Sequence, residues 1–290
     1  MKAKVFTPAP WHQTNWDARA AGNFIGGGSG TGLVLFAALA AAAGMDYRAA
    51  VALGLALVAL GLTCVWLEIG KPWRALHVFF HPQTSWMSRE AMIAPVLFAA
   101  GLAALAFGGA WTWLAALFGM AFLYAQGRIL QAAKGIPAWR QGRIVPLIVT
   151  TGLAEGAGWM LLLAAAGGLS LRAFAAAGVL LLLSRVAAWR GYLNQLAAAG
   201  APVKTLQVYG RFDKPFLFAG NGLPALLLVA AALGGSPWFA ALGGLIAALA
   251  GWALKYVIVT RAAYNQGFAL PRLPIRGSGV PQPGTKPGWR

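Results

Sequence analysis

The chain has 290 residues, 59% of them hydrophobic and only 10% charged, with a formal charge of +17 from 23 Lys and Arg against 6 Asp and Glu. A soluble domain carries about 25% charged residues, so most of this surface cannot face water, and the long uncharged apolar runs place the chain in the membrane class. The basic excess then belongs to connections between spans, not to a nucleic-acid interface; the single cysteine, Cys64, excludes a disulfide framework, an iron–sulfur cluster or a Cys-rich zinc site built by this chain alone.

Residues 1–19 contain neither a short apolar core with a small-residue cleavage site nor a twin arginine, and are expected to form a cytoplasmic segment. About 20 apolar residues are needed to cross roughly 30 Å of hydrocarbon as a helix. Ala20 to Ala43 and Ala49 to Leu67 meet that requirement without a charge. Ala91 to Gly127 is a 37-residue uncharged run broken at Gly108-Gly109-Ala110-Trp111, which predicts a tight hairpin of two helices. Ile144 to Ala166 and Leu171 to Ser184, the latter extending towards Tyr192, give two more. Pro215 to Leu254 repeats the hairpin pattern, broken at Gly234-Gly235-Ser236-Pro237. The expected fold is an all-α integral membrane protein, an eight-transmembrane-helix bundle over residues 20–260, followed by a cytoplasmic tail over 261–290. Its stretch from Pro271 to Arg290 is rich in Pro, Gly and basic residues and cannot build a core.

Within the first span, Gly26-Gly27-Gly28-Ser29-Gly30-Thr31-Gly32 follows no strand, so a phosphate-loop reading fails. Gly22, Gly26 and Gly30, with Gly28 and Gly32, are four apart, the spacing that close helix packing in lipid uses. Eight spans put both termini on one side. That side then collects 21 of the 23 basic residues, including Arg185 and Lys255, while Arg48 and Arg172 fall on the other. Lys and Arg are retained on the cytoplasmic side, so both termini are expected there. Trp66, Trp73 and Trp86 near one interface, and Trp111, Trp113 and Trp238 at the outer hairpins, fit an aromatic belt.

The three histidines, His12, His77 and His81, fall outside the spans, which argues against a haem or metal site inside the bundle. Carboxylates are so few that each is informative. Glu155 lies about eleven residues into the fifth span, near mid-bilayer at about 1.5 Å per residue, where an ionisable group is a functional hypothesis by default. It is read as an intramembrane proton site, as a neutral hydrogen-bonded acid, or as the partner of an arginine from a neighbouring span. The densest polar stretch near the membrane, Glu68 to Glu90, brings two carboxylates, Arg74, His77 and two Trp to one interface, with Trp66 just before it. That mixture suits an amphipathic aromatic head group such as a quinone; topology anchoring by its Lys and Arg is the plainer alternative.

The same segment resembles the loop between helices two and three in the membrane anchor subunits of dimethyl sulfoxide reductases, within the wider polysulfide reductase/NrfD superfamily. The family stretch His-Leu-Gly-x-Pro-x-Arg-Ala, then Ser-x-Glu, is matched by Ile69-Gly70-Lys71-Pro72-Trp73-Arg74-Ala75 and Ser88-Arg89-Glu90. Arg128-Ile129 and Pro137-Ala138-Trp139 resemble the elements after helix four. With eight spans, the resemblance covers nearly the whole chain. It implies a quinone (ubiquinone or menaquinone) bound near the face where a ferredoxin-like four-cluster iron–sulfur subunit docks. A molybdopterin subunit with a molybdenum or tungsten bis-pterin cofactor completes such complexes. The chain itself would be the electron-transfer anchor in a bacterial cytoplasmic (inner) membrane.

Carried over residue by residue, the resemblance makes Glu90 and Arg74 the leading quinone-site residues. The family histidine falls on Glu68, which can exchange protons but cannot donate as an imidazolium, so either the proton route differs or His77 compensates. The segment Trp11 to Trp16 resembles the place where polysulfide-type anchors contribute polar contacts, adding His12, Asn15 and Trp16. Well-known relatives carry their catalytic arm outside the cytoplasm, whereas the charge count places the docking face here on the cytoplasmic side. Substrates such as CoA thioesters or sulfite would suit that placement. Two other readings stay open: a proton-coupled secondary transporter using Glu155, and a structural anchor without a quinone site.

Overall fold

The structure, a computed structural model, describes residues 9–69 and 72–267. The basic tail beyond 267 and the Gly70-Lys71 pair of the loop motif lie outside the described residues. Among the described residues, eight spans are built from nine α-helices: α1 (Ala18–Ala42), α2 (Arg48–Glu68), α3 (Trp86–Phe107), α4 (Ala110–Ala132), α5 (Ile144–Ala166), α6 (Arg172–Ala198), α7 (Val203–Leu217), α8 (Leu223–Ala232) and α9 (Pro237–Tyr256). All eight are long and apolar enough to cross a membrane, and among the described residues there is no strand. The described residues form a helical, multi-pass membrane protein.

Local chemistry explains the ends. Asp17 caps α1 by accepting from the Arg19 amide at 2.7 Å, and Ser85 caps α3 by accepting from Ser88. The α3–α4 hairpin turns on Gly108 and Gly109, at φ of 65° and 59°, a region that a side chain rarely adopts. Trp111, Trp113 and Trp238 stand exposed at the hairpins, and Trp66 and Trp73 are exposed at the opposite helix ends.

The seventh span departs from the expected pattern. It begins at Val203, so Lys204, Arg211 and Lys214 are helical residues and not loop charges. Past Pro215 the ladder widens into a π-helical turn, Phe218–Gly222, where Asn221 Nδ2 donates to the Phe216 carbonyl at 2.6 Å before α8 continues. The eighth span likewise runs beyond Leu254, through Tyr256 into a second π turn, Val257–Arg261. The carbonyls of that turn accept from the Trp139 indole (Ile258, 2.8 Å) and from Gln13 Nε2 (Val259, 3.1 Å). Residues 11–13 pair with 263–265 through the Gln13 and Asn265 amides, so the two ends of the described chain meet.

At the centre stands α1, packed against α2, α4, α5 and α9. Its glycines are what bring the backbones together. A Cβ on Gly30 would lie 2.3 Å from the Gly54 carbonyl of α2, and one on Gly32 would lie 2.2 Å from the Gly152 carbonyl of α5. In lipid, helices associate by close packing and not by hiding apolar surface from water, so these contacts hold the bundle together.

Candidate functional site

A cleft of about 440 Å³ opens at the α2–α3 end of the bundle. Its walls come from α1 (Asn23), α2 (Leu62, Trp66, Glu68) and α3 (Met87, Glu90), with Trp16 alongside. The 3₁₀ segment Pro72–Phe80 roofs it through Ala75, Leu76, Val78 and Phe79. That segment is amphipathic at 3₁₀ spacing, and Trp73 and Phe80 point outward, 87% and 64% exposed. Because α2 packs only lightly on α3, their side chains line a gap instead of filling it.

Glu90 lies at the base, 6% exposed. Its polar neighbours are neutral amides: Asn23 Nδ2 donates to Oε1 at 3.3 Å, and Gln126 lies beside the carboxyl. Gln126 Nε2 in turn donates to the Asn23 carbonyl at 2.9 Å, which fixes both amides. Asn23 Oδ1 and Gln126 Oε1 are buried without a partner in the protein, and of the two only Asn23 also lines the cleft. Among the described residues no group of three His, Cys, Asp or Glu side chains gathers as a metal site would require.

Glu68, half-buried, lines the mouth with the Asp17–Arg19 pair nearby. Arg19 binds Asp17 at 2.8 Å and donates to the Leu67 carbonyl, tying the start of α1 to the end of α2. The Arg19 guanidinium and backbone amide hold the Asp17 carboxyl below its usual range. Trp16 stacks on Trp139 with ring centroids 4.8 Å apart, and its carbonyl accepts from Gln13 Nε2.

Thus Glu90, Glu68 and Trp16 come together in one cleft. Arg74 and His77 do not line it: both are exposed on the 3₁₀ segment, where His77 packs near Phe80. Asn15 is exposed beside Gln13, and His12 sits in the terminal pairing, its ring edge-on to Tyr264. No protein-family model matches the chain, and no curated protein matches its sequence.

A second polar group lies in the middle of the bundle. Glu155 Oε2 and Lys255 Nζ form an ion pair at 2.6 Å, both side chains fully buried. Ser29 Oγ donates to the same Oε2 at 2.8 Å and accepts from the Trp252 indole at 2.8 Å. On α6, Arg185 is also fully buried; its guanidinium donates to Asn221 Oδ1 and to the Gly220 and Ala247 carbonyls. Arg185 and Lys255 are therefore not connection charges, and the partner of Glu155 is a lysine, not an arginine. At an effective dielectric of about 20, charges about 4 Å apart gain roughly 4 kcal/mol, and removing one partner of such a pair costs about 3–5 kcal/mol.

Asn23, Gln126, Asn221 and Lys255 were not singled out by sequence reasoning. Asn23 and Gln126 carried a usable signal: each is an isolated amide within an otherwise apolar run, where an unpaired polar group is costly and a partner is required.

Proposed function

We propose that this chain is a quinone-binding membrane anchor that carries electrons between a docked iron–sulfur subunit of a molybdenum or tungsten oxidoreductase complex and the membrane quinone pool. The observation that carries the reading is a buried carboxyl, Glu90, held by the amide of Asn23 at the base of an apolar cleft whose mouth bears a second carboxyl, Glu68. The size of the cleft and its apolar walls fit an aromatic head group, and the unpartnered Asn23 amide oxygen can accept from the hydroxyl of its reduced, quinol form. The resemblance of the Glu68 to Glu90 segment to dimethyl sulfoxide reductase anchors supports the same reading.

A bound quinone supplies the two-electron, two-proton chemistry. Glu90 holds a proton within the cleft, and Glu68 exchanges protons with water at the mouth. Since Arg74 and His77 lie outside the lining, the donor to a ring oxygen is the Asn23 amide. Trp16 and Phe79 provide ring-sized apolar walls. The one-sided distribution of Lys and Arg supports cytoplasmic termini and a cytoplasmic docking face in a bacterial inner membrane.

Titration of the purified full-length chain with a short-tailed quinone, read by quenching of Trp fluorescence, tests the reading. Glu90→Gln should leave the melting temperature near that of the wild type while weakening quenching at least tenfold, whereas equal quenching in both proteins would remove Glu90 from the site. One observation favours a second reading: the buried Glu155–Lys255 pair is what a proton-coupled secondary transporter would use. Proton-driven solute uptake into vesicles containing this chain alone would support it.

A further inference from the structure

The mid-bundle cluster has an unusual charge count. Four helices meet there. Glu155 comes from α5, Lys255 and Trp252 from α9, Ser29 from α1 and Arg185 from α6. The ionisable groups are one acid and two bases, and all three side chains are fully buried. With every group charged, the cluster keeps one positive charge in a medium that offers it no water. Arginine does not give up its proton in proteins, and the guanidinium of Arg185 is committed to three neutral oxygens. Lysine is the base that loses its proton readily when buried. With Lys255 as a neutral amine, Glu155 is balanced by Arg185 and the cluster is neutral overall.

The packing is built around this pair. A Cβ on Gly28 would lie 2.1 Å from Lys255 Nζ, and one on Gly251 would lie 2.4 Å from Glu155 Oε1. Glycine at both positions gives the ammonium and the carboxylate room to meet. Glu155 Oε1 itself has no hydrogen-bond partner, and neither have Thr151 Oγ1 and Trp159 Nε1 on the same helix. A pair serving only as a structural clamp would use both carboxylate oxygens; here one remains to take up a change in protonation. Six residues along α1, about 9 Å of rise, separate Ser29 from Asn23 at the base of the cleft.

We infer that Glu155 and Lys255 form an intramembrane proton-binding site, in which Lys255 releases and rebinds one proton while Arg185 supplies the fixed charge that balances Glu155. The step is the loss of one proton from the Nζ ammonium, delivered to water outside the bundle, leaving a neutral amine, and its return. No electron moves and no other bond changes. The inference stands apart from the quinone reading, since it needs only the three charged side chains and the packing around them.

Infrared difference spectra of the full-length chain in lipid nanodiscs, recorded between about pH 5 and about pH 10 to span the range known for buried and free lysines, test it. The wild type should show a pH-dependent shift of a carboxylate band, lost in Glu155→Gln and in Lys255→Met. In Lys255→Arg the carboxylate band should remain and no longer respond to pH. Lys255→Met, which mimics the proton-released cluster, should melt closer to the wild type than Glu155→Gln, which leaves the buried Arg185 charge unopposed even when Lys255 is neutral. If Glu155→Gln fails to fold, the wild-type and two Lys255 spectra still decide. Absence of the shift in the wild type, or its persistence in Lys255→Arg, would overturn the inference.

Discussion

Gly156→Ala tests what holds α1 against α5. The added Cβ would stand 2.1 Å from the carbonyl carbon of Gly32 and 2.4 Å from the Leu33 nitrogen. Carbon atoms sit about 3.5–4.0 Å apart at ease, so the helices must part by roughly 1.5 Å. Overpacking costs about 1–3 kcal/mol when side chains can yield. Here the obstacle is backbone, so the cost belongs near the upper end. At about 2–4 °C per kcal/mol for a chain of this size class, the melting temperature should fall by roughly 5–10 °C. The assay is a thermal melt in detergent, with Gly135→Ala as control because a Cβ there meets nothing within 4 Å; the control should stay within about 0.5 kcal/mol of the wild type. Gly32→Ala should behave like Gly156→Ala, and the double variant should cost less than the sum, since once the helices have parted the second methyl finds room. A Gly156→Ala protein melting within a degree of the wild type would refute backbone contact as the basis of the α1–α5 interface.

Trp139→Phe should keep the stacking on Trp16 but leave the buried Ile258 carbonyl unpaired, costing about 1–3 kcal/mol. Hydrogen exchange should then rise around the Val257–Arg261 turn; unchanged protection there would show that the indole does not stabilise the π turn. Asp17 titrates below the usual carboxylate range because Arg19 favours its charged form. Its contribution is therefore complete at neutral pH and fades only as pH falls through the lowered folded value. Asp17→Asn, which keeps a capping oxygen, should flatten that acid-side loss in melts from about pH 7 to about pH 3. An unchanged acid limb would place the sensitivity in another group.

The helices were legible because the bilayer demands length and forbids charge. The uncharged runs supply the spans, two each from the 91–127 and 215–254 runs, whose Gly108-Gly109 and Gly234-Gly235 breaks are the hairpins; the seventh span starts earlier, among the charges of Val203–Leu217. The glycines of α1 were legible as packing residues for the same reason, since a stripe of small residues in lipid has little other use. Charge was less legible inside the bundle. Lys255 ends an apolar run and looks like an interfacial anchor, yet the π turn carries the span on to Arg261 and leaves Lys255 buried beside Glu155. Arg185 is hidden in the same way, since its partners are a side-chain amide and two carbonyls near a π turn that hydropathy does not reveal. Of the residues the sequence points to, Glu68, Glu90 and Trp16 share the cleft, whereas Arg74 and His77 stand outside its lining, because the sidedness of a short 3₁₀ segment depends on what it packs against, here the α2–α3 gap.

The quinone assignment is tested most directly by extracting the full-length chain, purified from its native membrane with its partners in native lipid, and measuring bound quinone against protein. About one quinone per chain, retained with an iron–sulfur subunit and lost on Glu90→Gln substitution, is the predicted result. A chain that keeps its lipid but carries no quinone, in the wild type as in the variant, would contradict it.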